Sequence, residues 1–581
     1  MGIDSAELSG GEIIAQILLH RKVKFLFTLC GGHISPIFVA AKQLGIRVID
    51  TRHEANAVFA ADAVSRISGN IGVAVVTAGP GVTNSITPLK NALLAQSPLI
   101  LLGGSPPTLL KGKGALQDID HMQLLKSSVK WSVAISKKKD LFPVLNKAFN
   151  KAIEGVPGPV FVELPVDLLY PEVIVREWYG KASKPGATLK SKISAWYVSR
   201  HLNNMFSIPK IQSAEQQRPL DIKVDQAKVE KVGNILSNAK SPVMLIGSGA
   251  MMQPGKADLL AKALVKIGIP VYLSGMARGL LGNDNSIQYR HKRRNALKEA
   301  DVVLLAGVPC DFRLDYGKHL GRAKFIGINR SKTDLTKNRM PDVAIHGDPM
   351  EYLLALASLF STKSSNWDDW KLNLSSREAE REAEINQQAE ISGGGINPIT
   401  LFKHLDANLP EDCTLIADGG DFVGTASYIL KPRKPLSWLD PGVFGTLGVG
   451  GGFALGAKLC KPASETYIIY GDGSSAFSLM EVDTFTRHNL PVIIIIGNDG
   501  SWSQIARDQI EILGDSCATE LANSDYEKIA HAFGANGKKV SSQKEFERAL
   551  LEAKRSIEKG QSYVINAVLA QSDFRKGSLS M

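Results

Sequence analysis

Along residues 8–180, short apolar runs alternate with longer stretches in which apolar side chains recur every three or four positions. The short runs cover 25–29, 46–50, 72–77, 99–102 and 160–164. Their length suits strands buried on both faces, and the stretches between them suit amphipathic helices. Such alternation predicts a parallel α/β sheet. The pattern restarts twice. Residues 226–360 carry runs at 243–246, 302–306 and 325–328, the first leading into Gly247-Ser248-Gly249-Ala250. Residues 396–581 carry runs at 414–417, 466–470, 492–496 and 563–568. The expected fold class is α/β, with three parallel-sheet domains over 1–180, 226–362 and 396–581.

Two polar connectors separate these regions. Residues 181–225 are rich in Pro, Ser, Lys and Gln. They hold one amphipathic stretch, 193–206, with Trp196, Tyr197, Leu202, Met205 and Phe206. Two roles are open to it: packing on the protein, or contact with a membrane surface. Residues 363–395 are charged and helix-like and end in Gly393-Gly394-Gly395.

Composition narrows the class. The 581 residues are 44% hydrophobic and 22% charged, as in an ordinary globular protein with ample material for several cores. The net charge of +11 is spread along the chain, apart from clusters such as Lys137-Lys138-Lys139 and Arg290-His291-Lys292-Arg293-Arg294. These are solvated faces or attractors of anionic ligands. No nucleic-acid-binding signature is present. The five cysteines are scattered and form no CxxC pair, which argues against a disulfide framework or a zinc site. No signal-peptide pattern and no apolar run long enough to span a bilayer is found.

The chemistry begins in the last region. The run 466–470 ends at Gly471-Asp472-Gly473-Ser474-Ser475. A strand entering glycine and then helix offers backbone N–H groups to phosphate. An aspartate there repels phosphate unless a cation such as Mg²⁺ bridges the two. The next apolar run ends at Gly497-Asn498-Asp499-Gly500, with Asp499 27 residues after Asp472. If the two strands are neighbours, Asp472 and Asp499 meet at one ion. Asn498 is the alternative ligand, and a carbonyl near Ser501 is a candidate third. Placement at carboxyl ends of strands fits ligand binding in α/β sheets.

This segment resembles the fingerprint of the thiamine-diphosphate-dependent enzymes, which usually have Asn where Asp499 stands. Longer phrases place the chain near the acetolactate-synthase-like lyases. They include Gly31-Gly32-His33-Ile34-Ser35-Pro36, Asp50-Thr51-Arg52-His53-Glu54, Pro159-Val160-Phe161-Val162-Glu163-Leu164-Pro165, and Gly275-Met276-Ala277-Arg278-Gly279.

The resemblance implies a pyrimidine-binding domain, a central Rossmann-like domain and a pyrophosphate- and Mg²⁺-binding domain, in that order. It implies that Glu54 activates the cofactor's aminopyrimidine, a role to set beside that of a helix-start glutamate favoured by the dipole. Gly79-Pro80-Gly81 would line the pyrimidine. Gln117 would lie near the reactive centre. His33 is a substrate contact, an acid/base group or a plain turn residue. Asp418-Gly419-Gly420 would form a second phosphate-side loop, and Gly445-Thr446-Leu447 a turn whose Leu447 supports the bent cofactor.

The resemblance further implies cleavage of a 2-hydroxyacyl-CoA between C1 and C2, in a homodimer or homotetramer with sites at the subunit interface. A 2-oxoacid carboligase and a non-catalytic scaffold are the alternatives. The central region binds the nucleotide end of coenzyme A or serves as a spacer. The compartment stays open between the endoplasmic reticulum, by resemblance, and the cytoplasm, by the lack of a targeting segment.

Overall fold

The computed structural model describes residues 8–182, 189–207, 223–360 and 367–577. It contains two compact units, residues 1–65 with 70–220, and 66–69 with 221–581.

The first unit is built on β1 (Phe25–Thr28), β2 (Arg47–Asp50), β3 (Gly72–Val76), β4 (Leu99–Ser105), β5 (Trp131–Ala134) and β6 (Val160–Pro165). All pair in parallel in the order β2-β1-β3-β4-β6-β5. β3, β4 and β6 are buried at every position, which is why their sequence is almost purely apolar. The helix Glu54–Ser68 supplies small apolar residues to the sheet: Ala57, Ala60, Ala61 and Ala63 are fully buried. That closeness explains Gly72, where a Cβ would fall 1.9 Å from the Ala61 carbonyl oxygen.

Part of the expected first linker is ordered. Leu189–Met205 is a helix, and Leu202, Met205 and Phe206 join the core of the first unit. Ile193, Trp196 and Tyr197 stay more than half exposed. Residues 183–188 and 208–222 of that linker lie outside the described residues.

The second unit holds two sheets. The central one consists of β7 (Pro242–Ile246), β8 (Val271–Leu273), β9 (Gln288–Tyr289), β10 (Val302–Ala306), β11 (Lys324–Asn329) and β12 (Val343–His346), ordered β12-β11-β10-β7-β8-β9. This is the strand order of the dinucleotide-binding fold. The last sheet consists of β13 (Cys413–Asp418), β14 (Trp438–Leu439), β15 (Glu465–Gly471), β16 (Ile493–Asn498), β17 (Asn536–Val540) and β18 (Tyr563–Val568), ordered β14-β13-β15-β16-β18-β17. It repeats the topology of the first sheet. In both, the strand order reverses beside the first strand, the place where an open α/β sheet leaves a crevice for ligands.

The second connector is the 22-residue helix Asp368–Ala389. It is docked rather than free. Trp370, Leu374 and Ile385 are buried, and the Trp367 and Trp370 indoles donate to the Ala239 and Pro242 carbonyls at 3.0 and 3.2 Å. Among the described residues no helix is long and apolar enough to cross a membrane.

Candidate functional site

β15 and β16 are neighbours, and their register pairs Gly471 with Gly497. Asp472 and the turn holding Asp499 therefore emerge side by side. Asp472 is 3% exposed; its carboxylate accepts the Gly473 amide at 2.8 Å and the Gly500 amide at 2.8 Å. Asp499 accepts the Ser503 hydroxyl at 2.6 Å. Burial, and then the Asp499 charge, push Asp472 up to about 6; burial likewise raises Asp499. Two such carboxylates form an electrostatic deficit that a bound cation relieves. The Asn498 side-chain NH2 donates to the Ser524 carbonyl at 3.2 Å and to Asn566 at 3.0 Å, which leaves its Oδ1 buried, without a hydrogen-bond partner and available to a cation. The Ser501 hydroxyl donates to the Thr519 carbonyl at 3.1 Å. Among the described residues no group of three or more His, Cys, Asp or Glu could hold a metal. An octahedral Mg²⁺ here would need backbone, water or ligand oxygens beyond the two carboxylates.

Three loops meet beside this pair. A Cβ on Gly419 would lie 2.2 Å from Leu447 and 2.9 Å from Ser474, so the loops Asp418–Gly420, Gly445–Leu447 and Gly471–Ser474 are in contact. Ser474 donates its hydroxyl to the Asp418 carbonyl and, at 3.1 Å, to that of Gly471. The Asp418 carboxylate faces inward and is fully buried, accepting the Gly448 and Gly450 amides at 3.0 and 2.7 Å. Burial pushes it up to about 7 against the pull of those amides. What this loop offers a ligand is the backbone at Gly419 and at Gly420, where nothing lies within 4 Å of a Cβ. Thr446 turns its hydroxyl to the Leu447 carbonyl at 3.1 Å. The Trp502 ring lies on Gly473, whose Cβ would approach it to 2.5 Å.

The first sheet carries a second constellation at its carboxyl edge. Glu54 opens the helix after β2, is 6% exposed and accepts the Asn84 amide at 3.0 Å. Pro80 and Gly81 begin the short helix Pro80–Thr83 after β3, with Gly79 at φ 60° as its cap. Gln117 lies on Gly79, its Cβ 2.8 Å from where a Gly79 Cβ would be, and itself adopts φ 63°. A non-glycine residue in that region is held there by its surroundings. His33 meets the Thr77 hydroxyl at 3.2 Å. Burial, then the nearby His121, lower its pKa, which favours the neutral ring.

The pattern of the sequence missed a buried relay beneath this edge. The Gly79 amide donates to His121 Nε2 at 2.9 Å, His121 Nδ1 faces Glu163 Oε2 at 2.9 Å, and Lys111 pairs with the other Glu163 oxygen. His121 and Glu163 are 0% and 1% exposed. Because Nε2 accepts, the ring proton sits on Nδ1 toward the carboxylate. The partners are 42 residues apart in pairs, so no local spacing announces them. Asn84 and Trp502 were also unassigned by the sequence.

Comparison with known proteins matches three regions of the chain to one family. Residues 8–124 match the thiamine pyrophosphate enzyme N-terminal TPP-binding domain, 229–356 the central domain and 418–567 the C-terminal TPP-binding domain. The chain is 47% identical to 2-hydroxyacyl-CoA lyase 2 of Danio rerio over 98% of its length and 93% of that protein. It is 45% identical to 2-hydroxyacyl-CoA lyase 2 of Caenorhabditis elegans, over 100% and 92%. It is 32% identical to an acetolactate synthase large subunit of Mycobacterium tuberculosis, over 97% and 96%. With both TPP-binding domains and the central domain matched in order, the chain belongs to the thiamine pyrophosphate enzymes.

Proposed function

We propose that this chain is a thiamine-diphosphate- and Mg²⁺-dependent lyase that cleaves a 2-hydroxyacyl-CoA between C1 and C2. The products are an aldehyde one carbon shorter and formyl-CoA. Atoms balance: the C2 hydroxyl gives up its proton as the aldehyde forms, and C1 takes a proton to become the formyl group. The observation that carries the choice of substrate is the 47% identity to a 2-hydroxyacyl-CoA lyase over nearly the full chain, against 32% to an acetolactate synthase.

When bound, thiamine diphosphate supplies a carbon nucleophile and an electron sink for the carbonyl carbon. The chain's residues divide the remaining work. Asp472 and Asp499, with the Ser501 carbonyl, would hold Mg²⁺; Asn498, whose Oδ1 is buried without a hydrogen-bond partner, is the alternative ligand. The backbone at Gly419, Gly420, Gly471, Gly473 and Ser474 receives the diphosphate. Leu447, packed on Gly419, supports the cofactor. Glu54 holds a proton for the aminopyrimidine, with Asn84 fixing its carboxylate. Gly79, Pro80 and Gly81 line the pyrimidine. Gln117 and a neutral His33 face the substrate, where His33 accepts and returns the hydroxyl proton.

The complete site forms between protomers of a homodimer or homotetramer. Val443, Phe444, Phe477 and Met480 are 37%, 38%, 60% and 47% exposed around the Gly448 turn, an apolar collar suited to a second copy. Sedimentation equilibrium tests this; a monomer at active concentrations rules it out.

Mass spectrometry of products from 2-hydroxyacyl-CoAs and 2-oxoacids, with both cofactors added, tests the substrate. Shortened aldehyde from the acyl-CoA supports the lyase. Acetolactate from pyruvate, with bound flavin absorbance, supports the synthase reading instead.

A further inference from the structure

The helix Leu189–Met205 has two unlike sides. At about 100° per residue, positions 198, 201, 202 and 205 share one of them. Leu202 and Met205 are buried there, and Val198 packs on the same core. Polar contacts pin that side as well. His201 Nε2 meets the Thr108 hydroxyl at 2.7 Å, which in turn donates to Asp167 at 2.6 Å. The Tyr179 hydroxyl donates to the same Asp167 oxygen at 2.8 Å. Arg176 donates to Asn203 at 2.9 Å and joins the helix to its neighbour, Glu172–Ala182. The helix is therefore part of the first unit rather than a loose connector.

The opposite side faces solvent. Leu189, Ile193, Trp196, Tyr197 and Arg200 fall in one stripe about 100° wide, and all five are exposed. Lys192, also exposed, stands at its border. The Arg200 guanidinium lies over the Trp196 ring, 5.3 Å from its centroid. On the neighbouring helix Val173 and Trp178 are exposed too, with Glu177 among them. Trp178 packs on Tyr170, whose hydroxyl donates to the Gly32 carbonyl at 2.9 Å, so this part of the unit is tied to the loop carrying His33.

The sign of the charge selects the occupant. Between residues 178 and 214 the chain has no Asp or Glu, but it has Lys181, Lys184, Lys190, Lys192, Arg200 and Lys210. Exposed Leu, Ile, Trp and Tyr beside cations are what a helix lying among lipid headgroups requires. The rings span the boundary between acyl chain and water, and basic side chains extend their stems over apolar surface toward phosphates. A second copy fits poorly. Docking this face on its twin would bring Lys192 and Arg200 against like charges, with no acid on the helix to relieve them.

We infer that the outward face of the helix Leu189–Met205 docks, lying parallel to the surface, on a membrane rich in anionic lipid. The inference stands apart from the lyase reading, because membrane binding is measured without substrate.

Flotation of the full chain with lipid vesicles tests it. Wild type is expected to float with vesicles of phosphatidylserine and phosphatidylcholine, more weakly with phosphatidylcholine alone, and less as salt rises. Lys192→Glu/Arg200→Glu removes the charge of the face, and Ile193→Gln/Trp196→Gln its apolar surface. Each pair is expected to weaken binding about tenfold or more. The four side chains are exposed, so melting temperatures are expected to hold. Lys262→Glu/Lys544→Glu makes the same change of charge at exposed positions elsewhere and is expected to keep most of the binding. Lipid brominated on its acyl chains is expected to quench tryptophan emission in wild type, and to quench it less in Trp196→Phe.

No flotation of wild type, equal binding to neutral and anionic vesicles, unaltered binding in both face variants, or an equal loss in the control pair overturns the inference. Sedimentation equilibrium showing the face variants as smaller oligomers than wild type overturns it too, and assigns the face to a contact between copies.

Discussion

His121 Nε2 accepts the Gly79 amide at 2.9 Å while its Nδ1 faces Glu163 at 2.9 Å. The turn against which Gln117 packs is thereby tied to a buried carboxylate on β6. His121→Ala leaves the Gly79 N–H and the Glu163 oxygen unpartnered, at a cost of about 1–3 kcal/mol. Denaturant melts are expected to show that loss, together with a fall in kcat larger than the change in KM. His121→Gln, which both donates and accepts, is expected to recover part of each.

Glu163 gives the pH dependence of this relay. Burial, the largest influence, pushes its carboxyl up, but hydrogen bonds from His121 and Lys111, with the Lys111 charge, hold it below the ordinary glutamate value. A depressed folded pKa stabilises the fold above the unfolded value of about 4.3 and loses that contribution as pH falls through the folded one. The melting-temperature gap between wild type and Glu163→Gln is therefore expected to be full at neutral pH and to shrink below about 4.3. A gap constant through acid contradicts the assignment.

Glu54→Gln keeps the side chain's shape and a carbonyl acceptor for Asn84. The fold and cofactor content are expected to be retained, while turnover falls by about two orders of magnitude or more, the scale of general acid–base catalysis. Steady-state kinetics on cofactor-loaded protein reads it, and unaltered kcat removes Glu54 from the mechanism.

The carboxylate pair on the last sheet separates metal retention from the rest. Asp472→Ala is expected to lose Mg²⁺ and thiamine diphosphate on gel filtration. Asp499→Asn keeps an oxygen ligand and removes one of two buried like charges, so it is expected to keep most of both. Metal and thiamine content of the eluted protein are the readouts. Full retention in Asp472→Ala would place the metal elsewhere.

The strands legible in the sequence are those flanked on both sides, whose central residues are nearly all buried and apolar, such as β4, β15 and β16. β2 was also read, although it lies at an edge. The six unread strands, β5, β8, β9, β12, β14 and β17, lie at or next to sheet edges. There solvent admits polar residues, as in the Asn-Gly-Lys-Lys-Val of β17, and two- or three-residue strands such as β9, β14 and β8 leave no period to detect. The site divided along the same line. Asp472 and Asp499 follow strands whose ends were visible. His121, Glu163 and Asn84 acquire partners only when distant loops fold onto one edge, and the shared topology of the first and last sheets has no trace in local pattern. The Asp418 carboxylate shows the opposite limit: it stands in a ligand-facing loop by sequence, yet turns inward to cap Gly448 and Gly450.

The central claim is cleavage of the bond between C1 and C2. A 2-hydroxyacyl-CoA labelled with ¹³C at C1, incubated with enzyme, thiamine diphosphate and Mg²⁺, tests it by mass spectrometry. The label is expected in formyl-CoA or its formate, with an unlabelled aldehyde one carbon shorter, and both products are expected to form far more slowly with Glu54→Gln. An intact labelled thioester alongside acetolactate made from added pyruvate would contradict the account.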